Sequence, residues 1–335
     1  MGVIKLPIAE TSLGRGGIKT SVLALGCAPL GNLFREVSPE DAAASLQTSF
    51  DAGVRYFDTA PHYGLGLSER RVGEFLASVP RDQVIISSKV GRLIRPNPDF
   101  SGGLDDQGFA VSAENHRVLD YSYDATMASI EESLARLGTD YLDIVYVHDP
   151  DAHETQALEG AFPALEKLRS EGVIRSYGAG MNQSEMLARF AQRTDLDVVM
   201  LAGRFSLLEQ PALEDLLPLA LERDISVVAA GVFNSGILAV NEPQPGAHYN
   251  YEQAPAEILD KAQRLAAFCR DHGFMLPQVA AQFPFVHPAI KVVCLGARNH
   301  DQALRNGELF SSVVPGEFYS LMAHEGLINA EALSY

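Results

Sequence analysis

From Val22 onward, short runs of consecutive apolar residues alternate with amphipathic stretches of helical period. The runs are VLALG from Val22, VRYFD from Val54, VIISSK from Val84, DIVYVH from Asp143, IRSYGAG from Ile174, VVMLAG from Val198, SVVAAG from Ser226 and VVCLGA from Val292. They are rich in β-branched residues and lack polar alternation, as expected of parallel strands covered on both faces. The intervening segments carry helix starts at Ser38-Pro39, Ser68-Glu69 and Asn182-Gln183-Ser184-Glu185, and glycine stops at Gly53, Gly138 and Gly172. Repeats of this kind without a long linker predict one α/β domain over residues 1–335, closed as a (β/α)8 TIM barrel. An open doubly wound sheet is the alternative. Against it, the first run leads into Gly26-Cys27-Ala28-Pro29-Leu30-Gly31 and not into a G-x-G-x-x-G turn that opens a helix. Ahead of the first run, Gly14, Gly16 and Gly17 between β-like segments predict an N-terminal hairpin.

Two connections are longer than the rest and show no helical period, from Arg92 to about Tyr123 and from about Val240 to Pro255. Both leave the C-terminal ends of strands, the rim where barrels build their sites, so both are expected to wall a substrate pocket. His248, Tyr249 and Tyr251 in the second are candidates to stack on a sugar ring. The tail segment His324-Glu325-Gly326-Leu327 is expected to fold back over the barrel mouth.

The chemistry gathers at the ends of three successive runs, in Asp58, Lys89 and His148, with Tyr63 just beyond the first in FDTAPHYG. In a barrel these four share one rim. An ammonium beside a phenol lowers its pKa from about 10 toward a value useful for proton transfer. Asp58 would keep Lys89 charged against its own desolvation, and His148 would orient a substrate oxygen. No nucleophile stands with a base of its own, so the set suits moving a proton while another group carries a hydride. A metal-dependent barrel hydrolase is the competing class. It would want His-x-His at the end of an early strand, where this chain has Gly26-Cys27-Ala28, and no metal site is expected.

Bulk properties narrow the partners. A hydrophobic content of 47% supplies a large core, and a net charge of −17 argues against nucleic acid and anionic membranes. Cys27, Cys269 and Cys294 are odd in number and widely spaced, which predicts reduced thiols and a cytoplasmic protein. The opening MGVIKLPIAE lacks a basic and apolar leader, Leu6 stands where myristoylation wants Ser or Thr, and no apolar run approaches the roughly 20 residues of a membrane span. The sequence carries no signal for an oligomeric state.

FDTAPHYG at Phe57, SSKVG at Ser87, YVHDP at Tyr146, GAGMN at Gly178 and LGARNHDQALRN at Leu295 together resemble the aldo-keto reductase superfamily over nearly the whole chain. The resemblance implies a (β/α)8 barrel that binds a nicotinamide cofactor without a Rossmann domain. It implies Tyr63 as general acid/base, Lys89 and Asp58 as its tuning pair, and His148 as substrate orienter. PHYGLGLSERRVG from Pro61, HDPD from His148, GVFNSGIL from Gly231 and HEGLI from His324 resemble the branch of L-fucose and D-threo-aldose 1-dehydrogenases. Pyridoxal 4-dehydrogenases share much of that pattern. The branch implies oxidation of a small sugar hemiacetal to a lactone, with a pyridoxal-type hemiacetal or a general aldehyde or ketone as the alternative. A cofactor-binding regulatory subunit is disfavoured by the complete Asp-Tyr-Lys-His set.

The cofactor pattern departs from the family in places. Asn182 matches the carboxamide-binding position, but Met181 replaces the usual Ser, Ala202 stands near the usual Gln, and Ala230 leaves Phe233 as the candidate stacking ring. Gly296, Gln302 and Asn306 fall where relatives contact the adenosine half, with Arg298 as the candidate cation. Fewer cations for a 2′-phosphate favour NAD, with NADP as the alternative.

Overall fold

The computed structural model describes residues 8–250 and 252–335. Each of the predicted runs is a strand, and the eight close into a parallel barrel. They are β1 (Leu23–Gly26), β2 (Tyr56–Asp58), β3 (Ile85–Val90), β4 (Leu142–His148), β5 (Ile174–Met181), β6 (Val198–Ala202), β7 (Ser226–Ala230) and β8 (Ile290–Gly296). Neighbours in sequence are neighbours in the barrel, and β8 pairs with β1 to close it.

Strand period 2 divides every strand between two cores. Ala24, Tyr56, Ile85, Tyr146, Met200 and Val292 fill the barrel interior. Leu23, Leu25, Phe57, Ile86 and Val145 face outward into the larger core beneath the helices. Following the inward parity toward the C-terminal end leads from Tyr56 to Asp58, from Ile85 to Ser87 and Lys89, and from Tyr146 to His148. Register completes the alignment, with Gly26 opposite Asp58, Asp58 opposite Ser87, Lys89 opposite Tyr146 and His148 opposite Gly180. Gly178 has no room for a side chain, since a Cβ there would meet the Val198 carbonyl at 1.6 Å.

The N-terminal hairpin forms as expected, with Glu10–Leu13 antiparallel to Ile18–Ser21. Leu13 and Ile18 enter the inner core, so the hairpin plugs the N-terminal end of the barrel, away from the candidate chemistry.

Two of the expected helix starts differ. Ser38 caps its helix by accepting the Asp41 N–H at 3.0 Å, but Ser68-Glu69 and the Asn182–Glu185 segment are not caps of that kind. The helix Leu67–Leu76 starts after Gly66 in the left-handed region (φ 80°) and turns its polar first residues inward. There Ser68 Oγ donates to the Cys27 carbonyl at 2.8 Å, and buried Glu69 accepts from Ser88 Oγ (2.7 Å) and Arg136 Nε (2.6 Å). The helix Ser184–Arg193 has no side-chain cap, and Ser184 Oγ donates to Asp215 instead. The stretch after Lys89 has no helix between Arg92 and Leu119, as its lack of helical period predicts, and pairs Arg92–Pro96 antiparallel with Asn115–Leu119. Its partners lie far apart in sequence with mixed burial, so neither strand carries a readable alternation. In the second long connection His248–Tyr249 pairs with Glu252–Gln253, and Tyr251 lies outside the described residues.

The tail residues 324–327 are not among those that line the cavity or the groove at the mouth. Beyond them the Asn329 N–H donates to Gln210, in the segment after β6, at 3.2 Å, and Tyr335 packs edge-on to His287. No helix among the described residues is long and apolar enough to cross a membrane.

Glu69→Ala leaves buried Ser88 Oγ without an acceptor and takes from Arg136 Nε its carboxylate, with only Ser133 Oγ at 3.2 Å left as a buried partner of that guanidinium. That variant is expected to lose about 3–5 kcal/mol of unfolding free energy in urea titration. A loss below about 1 kcal/mol, the worth of a surface pair, would make the contact peripheral.

Candidate active site

The C-terminal end of the barrel opens into a cavity of about 820 Å³, and Asp58, Tyr63, Lys89 and His148 all line it. Lys89 Nζ donates to both Asp58 oxygens, at 2.8 and 2.7 Å, and to the Thr59 carbonyl at 2.9 Å. Ser87 Oγ donates to Asp58 Oδ1 at 2.6 Å, so that carboxylate is held from two neighbouring positions of β3. The ammonium also lies 4.7 Å from the Tyr63 ring centroid, close enough for its charge to act on the phenol. The His148 ring meets Tyr63 edge-on at 5.9 Å. Burial alone would depress the lysine, but Asp58 and then Tyr63 outweigh it and raise its pKa, so the ammonium is held charged.

The phenol behaves differently from the expectation. Burial raises the Tyr63 pKa more than the nearby Lys89 lowers it, so the net shift is upward. Desolvation of a phenolate inside the barrel wall is the larger effect, and the sequence offered no measure of it. His148 is pushed well below the ordinary imidazole value by burial and then by Arg92 and Lys89, so it is neutral. His62, beside Tyr63, is pushed down to about 2 by burial and by Arg92, Arg117 and Lys89.

Several wall residues had no signal in the sequence. Phe109 stacks over Tyr63 at 6.2 Å and meets His62 edge-on at 5.1 Å. It belongs to the insertion after Lys89 and reaches the site through a bridge to Leu33. Phe34 is 64% exposed in the left-handed region (φ 65°), and its N–H donates to the Gly108 carbonyl at 2.7 Å. Only the meeting of two loops distant in sequence brings these rings to the mouth.

A groove of about 760 Å³ continues from the cavity, and Asn182 and Gly296 border both. Arg298, Gln302 and Asn306 line the groove, as do Phe233 and His248, while Ala202 and Ala230 leave small surfaces where the two spaces join. Gln302 Oε1 accepts the Arg298 N–H at 3.0 Å, and Asn306 Nδ2 donates to the Gly296 carbonyl at 3.0 Å. These two side chains therefore shape the loop after β8. Arg298 Nε is a buried donor with no acceptor among the described residues, while its side chain lines the groove and gives it a positive charge. Arg305 also lines it, one turn along the helix His300–Glu308 from Gln302. Spacing of three residues on one helix face was the available signal for Arg305. Among the described residues, no group of three or more His, Cys, Asp or Glu is arranged to hold a metal ion.

The sequence profile of the Aldo/keto reductase family matches residues 22–323. The chain belongs to that family. Similar proteins include the D-threo-aldose 1-dehydrogenase of a Pseudomonas species, 44% identical over 95% of this chain and 98% of that protein. The pyridoxal 4-dehydrogenase of Microbacterium luteolum is 40% identical over 96% of this chain and 98% of its own length. Among solved structures, an aldo-keto reductase of Bacillus halodurans in its holo form is 25% identical, with a TM-score of 0.76 over 96% of this chain and 97% of that one. The chain is thus an aldo-keto reductase, an oxidoreductase of a family that uses nicotinamide cofactors, and the groove beside the cavity fits such a group.

The depressed histidines set a pH dependence of stability. A histidine buried neutral takes up its proton more readily in the unfolded chain, so stability is lost as pH falls through the unfolded value of about 6.5. The thermal midpoint is expected to drop between about pH 7.5 and pH 5, and less steeply in His62→Phe. An identical slope in that variant would remove His62 as a contributor.

Proposed function

We propose that this aldo-keto reductase oxidises the hemiacetal carbon of a small aldose to a lactone, with Tyr63 as general base and NAD preferred over NADP. The observation that carries the reading is the buried Lys89–Asp58 pair set against Tyr63, beside a neutral His148 in one cavity. Similarity at 44% identity to a D-threo-aldose 1-dehydrogenase supports the substrate class.

Each residue has a distinct part. Asp58 keeps Lys89 an ammonium, and the ammonium stabilises the phenolate of Tyr63 against burial. The phenolate takes the proton of the anomeric hydroxyl, and in the reverse direction the phenol returns it. Neutral His148 hydrogen-bonds the same oxygen without competing for that proton, which fixes the reacting carbon. When bound, an oxidised nicotinamide supplies the hydride acceptor and a positive ring that further favours phenolate. Asn182, at the wall shared by cavity and groove, would hold its carboxamide. Gly296, Arg298, Gln302 and Asn306 would bound the adenosine half, with the Arg298 guanidinium supplying positive charge there. A pyridoxal-type hemiacetal is the second reading, favoured by the aromatic wall of Phe109 and His62 and by the 40% identical pyridoxal 4-dehydrogenase. Three free, buried cysteines accord with a cytoplasmic location.

Removing the phenol oxygen in Tyr63→Phe is expected to reduce kcat for aldose oxidation by at least about 10²-fold while dinucleotide affinity holds. In the parent enzyme, oxidation should rise with pH into the alkaline range, because the raised phenol must lose its proton. An acid limb alone, or near-parental turnover of the variant, would take Tyr63 out of this role. Fluorescence titration should rank NAD tighter than NADP, and Arg298→Ala should weaken both. The reverse ranking would overturn the preference.

A further inference from the structure

Next to the candidate machinery lies a second polar pair that proton transfer does not use. Asp149 directly follows His148, and Arg92 begins the hairpin three residues after Lys89, so one member stands just beyond the end of each of β3 and β4. Arg92 Nη2 donates to Asp149 Oδ2 at 2.7 Å, and the same oxygen lies 3.5 Å from His148 Nε2. Both side chains line the cavity, and the Asp149 carboxylate keeps 31% of its surface exposed there.

Two observations separate this pair from an ordinary structural ion pair. Its hydrogen bonding is incomplete, because Arg92 Nε is buried with no acceptor among the described residues, and Asp149 Oδ1 receives no donor among them. The Nε itself is closed off, but the Arg92 side chain keeps 17% of its surface exposed and lines the cavity, so its guanidinium and the Asp149 carboxylate can both meet a polar guest. Second, Asp149 sits in the left-handed region (φ 43°), which side chains seldom adopt. The surroundings enforce that conformation. Its N–H donates to the Gly180 carbonyl at 3.1 Å, and Tyr121 Oη reaches the carbonyls of His148 and Asp149 at 2.6 and 2.9 Å. Gly91 makes the room, since a Cβ there would stand 2.1 Å from the Tyr121 ring. The corner after His148 is thus held so that the next carboxylate turns into the cavity.

We propose that Arg92 and Asp149 form the subsite that selects polyhydroxylated substrates, with Asp149 accepting from, and the exposed part of the Arg92 guanidinium donating to, the hydroxyl on the carbon adjacent to the reacting one. A hydroxyl both donates and accepts, and this pair offers one partner of each kind at the edge of the His148 imidazole. The assignment rests on the aldose reading. It adds what reads the sugar: a carboxylate–guanidinium pair on the rim, a short step from the carbon that is oxidised.

The test compares an aldose with its 2-deoxy analogue in the parent enzyme, in Asp149→Asn and in Arg92→Met, with NAD present. Asn tolerates the left-handed backbone, so the first variant keeps the corner. In the parent, kcat/KM for the deoxy analogue should fall by roughly 10- to 150-fold, the worth of a hydrogen bond to a charged group, mainly through KM. In either variant the parent-to-deoxy ratio should collapse toward one. A purely structural pair would depress both substrates together and leave the ratio at its parental value, which overturns the subsite. If neither variant folds, the parent enzyme decides, and equal use of aldose and deoxy analogue overturns it. Parental turnover of simple aldehydes but of no aldose would sink the aldose reading itself, and the subsite with it.

Discussion

Everything at the open end of this barrel depends on one buried ion pair. Lys89 and Asp58 are nearly inaccessible to water, and an ammonium placed alone inside the barrel would be strongly disfavoured. The two carboxylate oxygens and the Thr59 carbonyl supply three acceptors to one ammonium, and the Tyr63 ring lies against it with its centroid 4.7 Å away. Breaking such a pair by removing one member leaves a buried charge uncompensated, a loss of about 3–5 kcal/mol. The pair is therefore a structural obligation as well as the electrostatic source for any proton chemistry at Tyr63.

Its support runs down into the barrel. Ser87 donates to Asp58, and one step down the barrel Tyr56 Oη meets Tyr146 Oη at 2.9 Å. These hydroxyls occupy the same inward parity as the charged residues above them. The interior thus grades from an apolar plug at Leu13 and Ile18, through paired phenols, to charge at the mouth. Each polar group is taken up by the next, as buried polar atoms require.

Above the barrel lies a second layer with its own fastenings. Arg117 pairs with Asp105 in a buried contact and donates to the His62 carbonyl at 2.8 Å. Asn32, in the left-handed region, donates to the Ala110 carbonyl at 3.1 Å and accepts from the Val37 N–H. The insertion after β3 is stapled in this way to the loop after β1 and to the Tyr63 loop, which brings Phe109 over the phenol. Reacting groups stand on strands, while the surfaces that choose among substrates stand on loops pinned from outside.

Much of this was legible in the residues. Apolar runs of strand length gave the barrel, because covered parallel strands need continuous hydrophobicity. Strand parity of two then sends Asp58, Lys89 and His148 inward at one end, whatever fills the loops. Ser68, Glu69 and Ser184 misled, because a polar residue at a helix start reads as a cap until packing shows it turned toward the core. The upward shift of the Tyr63 phenol was equally out of reach, since it comes from burial by neighbours remote in sequence. Local pattern by itself determined the strands, their facing and the residues carried at their ends, because those follow from backbone geometry within a few positions. Only the tertiary structure decided which loops meet over the mouth, which donors remain without partners and how strongly burial opposes charge, because each depends on atoms that the chain brings together from far apart.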